Sequence, residues 1–274
     1  PFAAMTTAVR QYPALRSVLR RIGESGVLGT ADTDEVPSDV LPRPEPQEEG
    51  RPGVELTGLA AAWPGGAPVF RGLSAVAEPG RWLAVTGPSG AGKSTLLAVM
   101  LGFLPAREGR IAVTGAAAWC PQEAHLFDST IRGNLLLGRR EREVPGDGDA
   151  EQEMQQALTA VGLGPLLERL DDGLDTRIGP GGAFLSGGER QRLAVARTLM
   201  TQAEVILLDE PTAHLDAESG RALMADLRAG LRSRTVVLVT HNPADISPDD
   251  ALLALRQSGE SPAAEEMAPS LTSG

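Results

Sequence analysis

The stretch "GPSGAGKST", Gly87 to Thr95, constrains this chain more than any other. An apolar run, "WLAVT", leads into it, and "STLLAVMLGF" leads out with helical spacing. The pattern G-x-x-x-x-G-K-[ST] between a strand and a helix is a phosphate cradle. Gly87, Pro88, Ser89, Gly90, Ala91 and Gly92 form a loop whose backbone can wrap phosphates. Lys93 is expected to reach the β- and γ-phosphates, and Ser94, followed by Thr95, to ligate Mg²⁺. A strand that feeds a helix through such a loop points to an α/β fold.

The second half of that chemistry is "VILLDE", ending at Asp209 and Glu210. An apolar strand that delivers a carboxylate beside a phosphate loop suits Asp209 to Mg²⁺. Glu210, one residue on, suits a general base that polarises the attacking water. The competing reading is a strand-end acidic pair facing solvent. His241 follows another buried run, "TVVLVT", and can donate to a γ-phosphate from the end of a parallel strand. Gln122, after the short run ending in Cys120, offers an amide to Mg²⁺ or water. Trp63 can stack on an adenine, or serve simply as a core or surface Trp.

A second phosphate site is written in "LSGGERQRLAVART". Ser186 occupies a helix N-cap position, and Gly187 and Gly188 open a helix carrying Leu193, Val195, Ala196 and Leu199 at core spacing. Two phosphate sites in one domain call for an explanation.

Composition narrows the partners. The net charge is −11 and aromatics are 3%, which argues against a nucleic-acid surface. Much of the excess acid falls in residues 24–52 and in the last residues. Those two segments read as a flexible acidic linker and a disordered tail over 257–274. Residues 1–23 place Phe2, Met5, Val9, Tyr12, Leu15, Leu19 and Ile22 at three-to-four spacing, an amphipathic helix or the end of a transmembrane-domain helix. Pro1 in place of Met leads us to expect a piece of a longer chain. The single cysteine, Cys120, excludes an internal disulfide and suits a reducing compartment. No apolar stretch reaches the roughly 18 residues of a membrane span.

The folded domain is expected over 53–256. Strands are predicted near 54–58, 68–75, 81–87, 110–114 and 117–120, and in "EVILLD" and "TVVLVT". Helices are predicted near 92–103, 129–136, 151–161, 164–169, 187–201 and 217–230, with a charged loop at 138–150.

Taken together, "GPSGAGKST", the Gln122 loop, "LSGGE", "VILLDEP", "AHLD" and His241 occur in the order found in the ATP-binding cassette (ABC) family, and the chain resembles that family from about Val54 to His241. The resemblance implies a P-loop ATPase cassette with a mixed core sheet, an antiparallel β subdomain and a helical signature subdomain. It implies ATP and Mg²⁺ as ligands and explains the two phosphate sites. In this family two cassettes pair head to tail, so Ser186, Gly187 and Gly188 would meet the nucleotide of a partner cassette, with Asp216 of "AHLD" at the shared interface. It also implies a transmembrane partner domain, upstream on the same chain, and a place on the cytoplasmic face of the plasma (inner) membrane. "FDSTIRGNLLLG" resembles the exporter subclass. Residues 118–138 and 179–200 are closest to the CydC half of the CydDC-type exporters, which carry thiol reductants and support cytochrome bd assembly, with haem also considered as cargo. Pro180 and Gly181 depart from the Glu-Arg that exporters commonly carry before the signature. A drug or lipid exporter cassette is the nearest alternative. A soluble non-transport ABC ATPase is the second alternative, though its chromosome-maintenance type fails because no coiled-coil insertion separates Lys93 from Asp209. No Asn-Lys-x-Asp motif supports a GTPase.

Overall fold

A computed structural model describes residues 53–123, 125–139 and 147–256. The expectations for residues 1–23, 24–52 and 257–274 lie outside the described residues.

Two sheets form. Strands β1 (Val54–Ala61), β2 (Phe70–Ala77) and β4 (Glu108–Val113) make an antiparallel sheet in the order β2-β1-β4. Strands β3 (Trp82–Thr86), β5 (Ala117–Cys120), β6 (Val205–Asp209), β7 (Thr235–Val239) and β8 (Ala251–Ala254) make a second sheet in the order β5-β6-β7-β3-β8. All four pairings of this second sheet are parallel. The core sheet expected to be mixed is therefore parallel throughout its described strands, and the antiparallel pairing is segregated in the other sheet. The smaller sheet is not consecutive in the chain either, because β3 and the helix Lys93–Met100 intervene between β2 and β4.

The helices are α1 (Lys93–Met100), α2 (Ile131–Leu136), α3 (Asp147–Ala160), α4 (Gly164–Leu167), α5 (Gly187–Leu199) and α6 (Ala217–Gly230). Each sits where apolar spacing placed it, with shifted ends. The predicted helix 92–103 closes early because the chain turns left-handed at Gly102, φ 74°. The loop predicted at 138–150 yields four residues to α3, which starts at Asp147. The Thr130 hydroxyl caps α2 by accepting from Gly133 N–H.

Period-two alternation splits the parallel sheet between two cores. Leu83, Val85, Val205, Leu207, Val237 and Val239 face one side, where they meet Leu96, Leu97, Val99 and Met100 of α1 and the inner residues of the antiparallel sheet. Ala118, Cys120, Ile206, Leu208, Val236 and Leu238 face the other side, where they meet α2, α3, α5 and α6. Ile206, Leu207, Leu208, Val237 and Leu238 are fully buried. Each such side chain contributes about 2 kcal/mol relative to exposure. The helix of the phosphate cradle and the helix of the second phosphate site thus belong to opposite faces of one sheet.

Candidate functional site

The cradle occupies the turn between β3 and α1. Gly92 takes φ 100° as the N-cap of α1, and no side chain caps that helix. A Cβ on Gly92 would lie 2.7 Å from Val69 Cγ1, so a larger residue there is excluded by both space and conformation. A Cβ on Gly87 would lie 2.6 Å from the Leu255 carbonyl oxygen, because the chain leaving β8 passes against the loop. Lys93 folds back over the loop, its Nζ donating to the carbonyls of Gly87 (2.8 Å) and Pro88 (3.2 Å). An ammonium held on two neutral carbonyls can exchange them for phosphate oxygens, which bind it more strongly. Ser94 and Thr95 follow in the first turn, where N–H groups have no intrahelical acceptor. The cradle therefore fits a polyphosphate on geometry as well as on pattern.

Trp63 follows β1 and is tied to the cradle helix. Its Nε1–H donates to Thr95 Oγ1 at 3.2 Å, while half of the residue stays exposed. A tethered, half-open indole beside a phosphate cradle can take a purine on its free face.

The carboxylates meet the cradle from β6. Asp209 closes the strand in register with Val239, and Glu210 N–H extends the ladder to the Val239 carbonyl at 2.8 Å. Burial pushes the Asp209 carboxyl above the usual range, and the neighbouring Glu210 charge adds to this, while Lys93 pulls it down. Asp209 ends β6 and Lys93 opens the helix after β3, so both halves of the site lie at the C-terminal edge of one parallel sheet. Glu210 has φ 46°, a left-handed backbone rare outside glycine. Its Oε2 lies 3.0 Å from Nδ1 of His241, which follows β7. The glutamate side chain is largely buried and the imidazole mostly exposed, so the pair opens to solvent on the histidine side. Gln122 lies two residues beyond Cys120, whose register partner is Leu208. It therefore shares the C-terminal edge of the sheet with Asp209 and Glu210.

Ser94, Asp209 and Gln122 are the groups that would hold Mg²⁺. Among the described residues no cluster of three His, Cys, Asp or Glu could hold a metal by itself. A hydroxyl, a carboxylate and an amide suit Mg²⁺ bound mainly through a nucleotide's phosphates.

The candidate for a second phosphate site is built on α5. The Ser186 hydroxyl accepts from Glu189 N–H (3.2 Å) and the Glu189 carboxylate accepts from Ser186 N–H (2.8 Å), a reciprocal capping box. Gly187 and Gly188 open the helix, and a Cβ on Gly188 would meet nothing within 4 Å. Glycine is poor helix material, and no atom of the described residues requires it at Gly188. Asp216 caps α6: its carboxylate accepts from the N–H of Glu218 and of Ser219 and from the Ser219 hydroxyl. Those bonds hold its carboxyl below the usual range.

The structure thus brings together Trp63 with the cradle, Lys93 with Asp209, and Glu210 with His241. It assigns Ser186, Gly187, Gly188 and Asp216 to two other helix starts. One polar knot escaped sequence reasoning: Asp245 accepts hydrogen bonds from both Thr212 and Thr240. Its only signal is a threonine beside each catalytic candidate, and threonine is too common to be read.

A parallel sheet with a phosphate cradle, a strand-end carboxylate pair and a second glycine-capped helix defines a cassette-type ATPase. The ABC transporter family model matches residues 70–213. The chain is 35% identical to the mycobactin import ATP-binding/permease protein IrtB of Mycobacterium tuberculosis (strain ATCC 25618 / H37Rv) over 273 residues, 92% of this chain and 44% of IrtB. It is 35% identical to the ABC multidrug transporter MDR2 of Trichophyton tonsurans over 203 residues, 69% of this chain and 15% of MDR2. A solved bacterial Atm1-family ABC exporter with ATP bound superposes with a TM-score of 0.67 at 30% identity, covering 90% of this chain and 44% of that one. The chain belongs to the ABC transporter family, as an ATP-binding ATPase cassette. It spans less than half the length of these relatives. No helix among the described residues is long and apolar enough to cross a membrane.

Proposed function

We propose that this cassette powers a membrane transporter by pairing with a second cassette around ATP and separating on hydrolysis. The observation that carries the hydrolytic step is the Glu210–His241 contact at 3.0 Å, at the ends of adjacent strands and beside the Lys93–Asp209 half of the site. Trp63 stacks on the adenine, and Gly87 to Thr95 hold the phosphates. Ser94, Gln122 and Asp209 hold Mg²⁺, which supplies positive charge to the phosphate oxygens. Glu210 takes the proton of the attacking water as its oxygen bonds to the γ-phosphorus and ADP departs. His241 fixes Glu210 and donates toward the γ-phosphate. Gly187 and Gly188 present backbone N–H groups at the start of α5, and Ser186 its hydroxyl, to the nucleotide of the partner cassette, with Asp216 close to that interface. The partner is a second ABC cassette, identical or related, and a transmembrane domain on the same chain upstream, with the cassette on the cytoplasmic face of the plasma (inner) membrane.

For the cargo, the wording of residues 118–138 and 179–200 supports CydC-like export of thiol reductants (cysteine, glutathione) or haem, linked to cytochrome bd assembly. The likeness to a multidrug transporter favours a drug or lipid exporter as the second reading. ATPase stimulation of the complete transporter by glutathione or haem, set against lipophilic drugs, separates the two.

The hydrolytic assignment is tested with Glu210→Gln. We expect ATP binding to persist and turnover to fall by about a thousandfold, within the range for losing a general base. Unchanged turnover removes Glu210 from the role.

A further inference from the structure

A buried carboxylate that hydrolysis does not use lies between the two catalytic loops. Asp245 is 4% exposed and ends a short turn, Pro243–Asp245, after His241. Its Oδ2 accepts from two hydroxyls, Thr212 Oγ1 at 2.6 Å and Thr240 Oγ1 at 2.8 Å. Its Oδ1 accepts from Asn242 Nδ2 at 3.2 Å. Thr212 comes two residues after Glu210, and Thr240 immediately precedes His241. Both threonines are buried. A carboxylate only accepts, so both hydroxyls must donate to it and neither is left to rotate.

The aspartate is itself anchored. Its carbonyl accepts from Arg228 at 2.8 Å, and Arg228 is held by a two-pronged pair with Asp250 and by the Trp82 ring, 4.3 Å from its guanidinium carbon. Arg228 belongs to α6, so the carboxylate is a fixed point against which both loops are held. Burying a carboxylate is costly unless donors surround it. Here all three donors come from the two loops that carry the hydrolytic pair: Thr212 follows Glu210, and Thr240 and Asn242 flank His241.

We infer that Asp245 is a positioning residue for ATP hydrolysis. It clamps the Glu210 loop and the His241 loop at one spacing, so that carboxylate and imidazole meet. This rests on Glu210 and His241 being the hydrolytic pair. A shift of about 1 Å at such a pair is enough to cost about a hundredfold in rate.

The test measures kcat, KM and Tm for the 274-residue chain carrying Asp245→Asn, Thr212→Val or Thr212→Ser, and for Asp245→Asn combined with Glu210→Gln. Asp245→Asn is expected to lower kcat by about tenfold or more while KM stays within about twofold. Thr212→Val is expected to lower kcat in the same direction, and Thr212→Ser, which keeps the hydroxyl, to restore it. In the Glu210→Gln background Asp245→Asn is expected to leave residual hydrolysis unchanged while lowering Tm as it does in the parent. A lowered Tm with unchanged kcat would show packing alone and overturn the inference. So would an equal proportional loss of kcat in the Glu210→Gln background, because Asp245 would then act independently of the base. If Asp245→Asn does not fold, the Thr212 pair decides: a parental kcat in Thr212→Val overturns the inference. Parental turnover in Glu210→Gln alone is a separate failure, that of the base assignment, and is read before any Asp245 variant.

Discussion

Two adjacent carboxylates at the end of β6 have different surroundings. Asp209 is pushed up by burial and by Glu210, against the pull of Lys93. The folded chain therefore holds the Asp209 proton to a higher pH than the unfolded chain does. Between the ordinary carboxylate value and the raised one, the folded state binds more protons, so this group's contribution to stability falls as pH rises. Asp209→Asn removes that penalty. We expect Asp209→Asn to melt higher than the parent at neutral pH, and the difference to shrink as pH falls toward about 4, the ordinary aspartate range. Thermal melts across that interval check this, and a pH-independent difference would contradict it. The placement of Lys93, Asp209, Glu210 and His241 at or after strand ends was legible because each sits at a fixed offset from an apolar strand. Asp245 was not: its contacts join residues 33 and 5 positions away, through hydroxyls that carry no pattern of their own.

Among the elements, α6 shows how an ordinary amphipathic helix becomes an anchor. Its apolar residues Leu223, Met224 and Leu227 are buried, and Arg228 turns along their edge to Asp250, whose side chain is 2% exposed. Arg228→Ala leaves that buried carboxylate unpaired and strips the cation from the Trp82 ring. We expect a loss of about 3 kcal/mol, the scale for breaking one side of a buried ion pair, measured by denaturant unfolding. A loss within the range of a surface pair, below about 1 kcal/mol, would contradict it. Helix positions were readable from apolar spacing, but their ends were not. The early start of α3 falls in "DGDA", where charge and glycine mask a helical turn. The parallel pairing of β6 and β7 was legible in their continuous apolar runs, but the runs do not say that every neighbour in the core sheet is parallel too.

At the scale of the molecule, the arrangement turns on one sheet with two unlike faces. The cradle helix α1 packs into the core on one face, and α5, with Gly188 open at its start, packs into the core on the other. We expect the Glu210→Gln chain to double its molar mass in solution when ATP and Mg²⁺ are added, as measured by light scattering. A persistent monomer that binds ATP would point to an unlike partner cassette or to a need for the membrane domain.

The two unlike faces carry a genetic consequence. If every nucleotide is gripped by the cradle of one copy and the glycine cap of the other, defects in the two belong to different complementation groups. A Lys93→Ala chain and a Ser186→Arg chain are each inactive alone, since every site contains a fault. Mixed, they pair so that both faults fall in one site and the other is whole. Activity then returns from two dead parents, at no more than half the parental level per mixed pair. Mixing two lots of Lys93→Ala returns none.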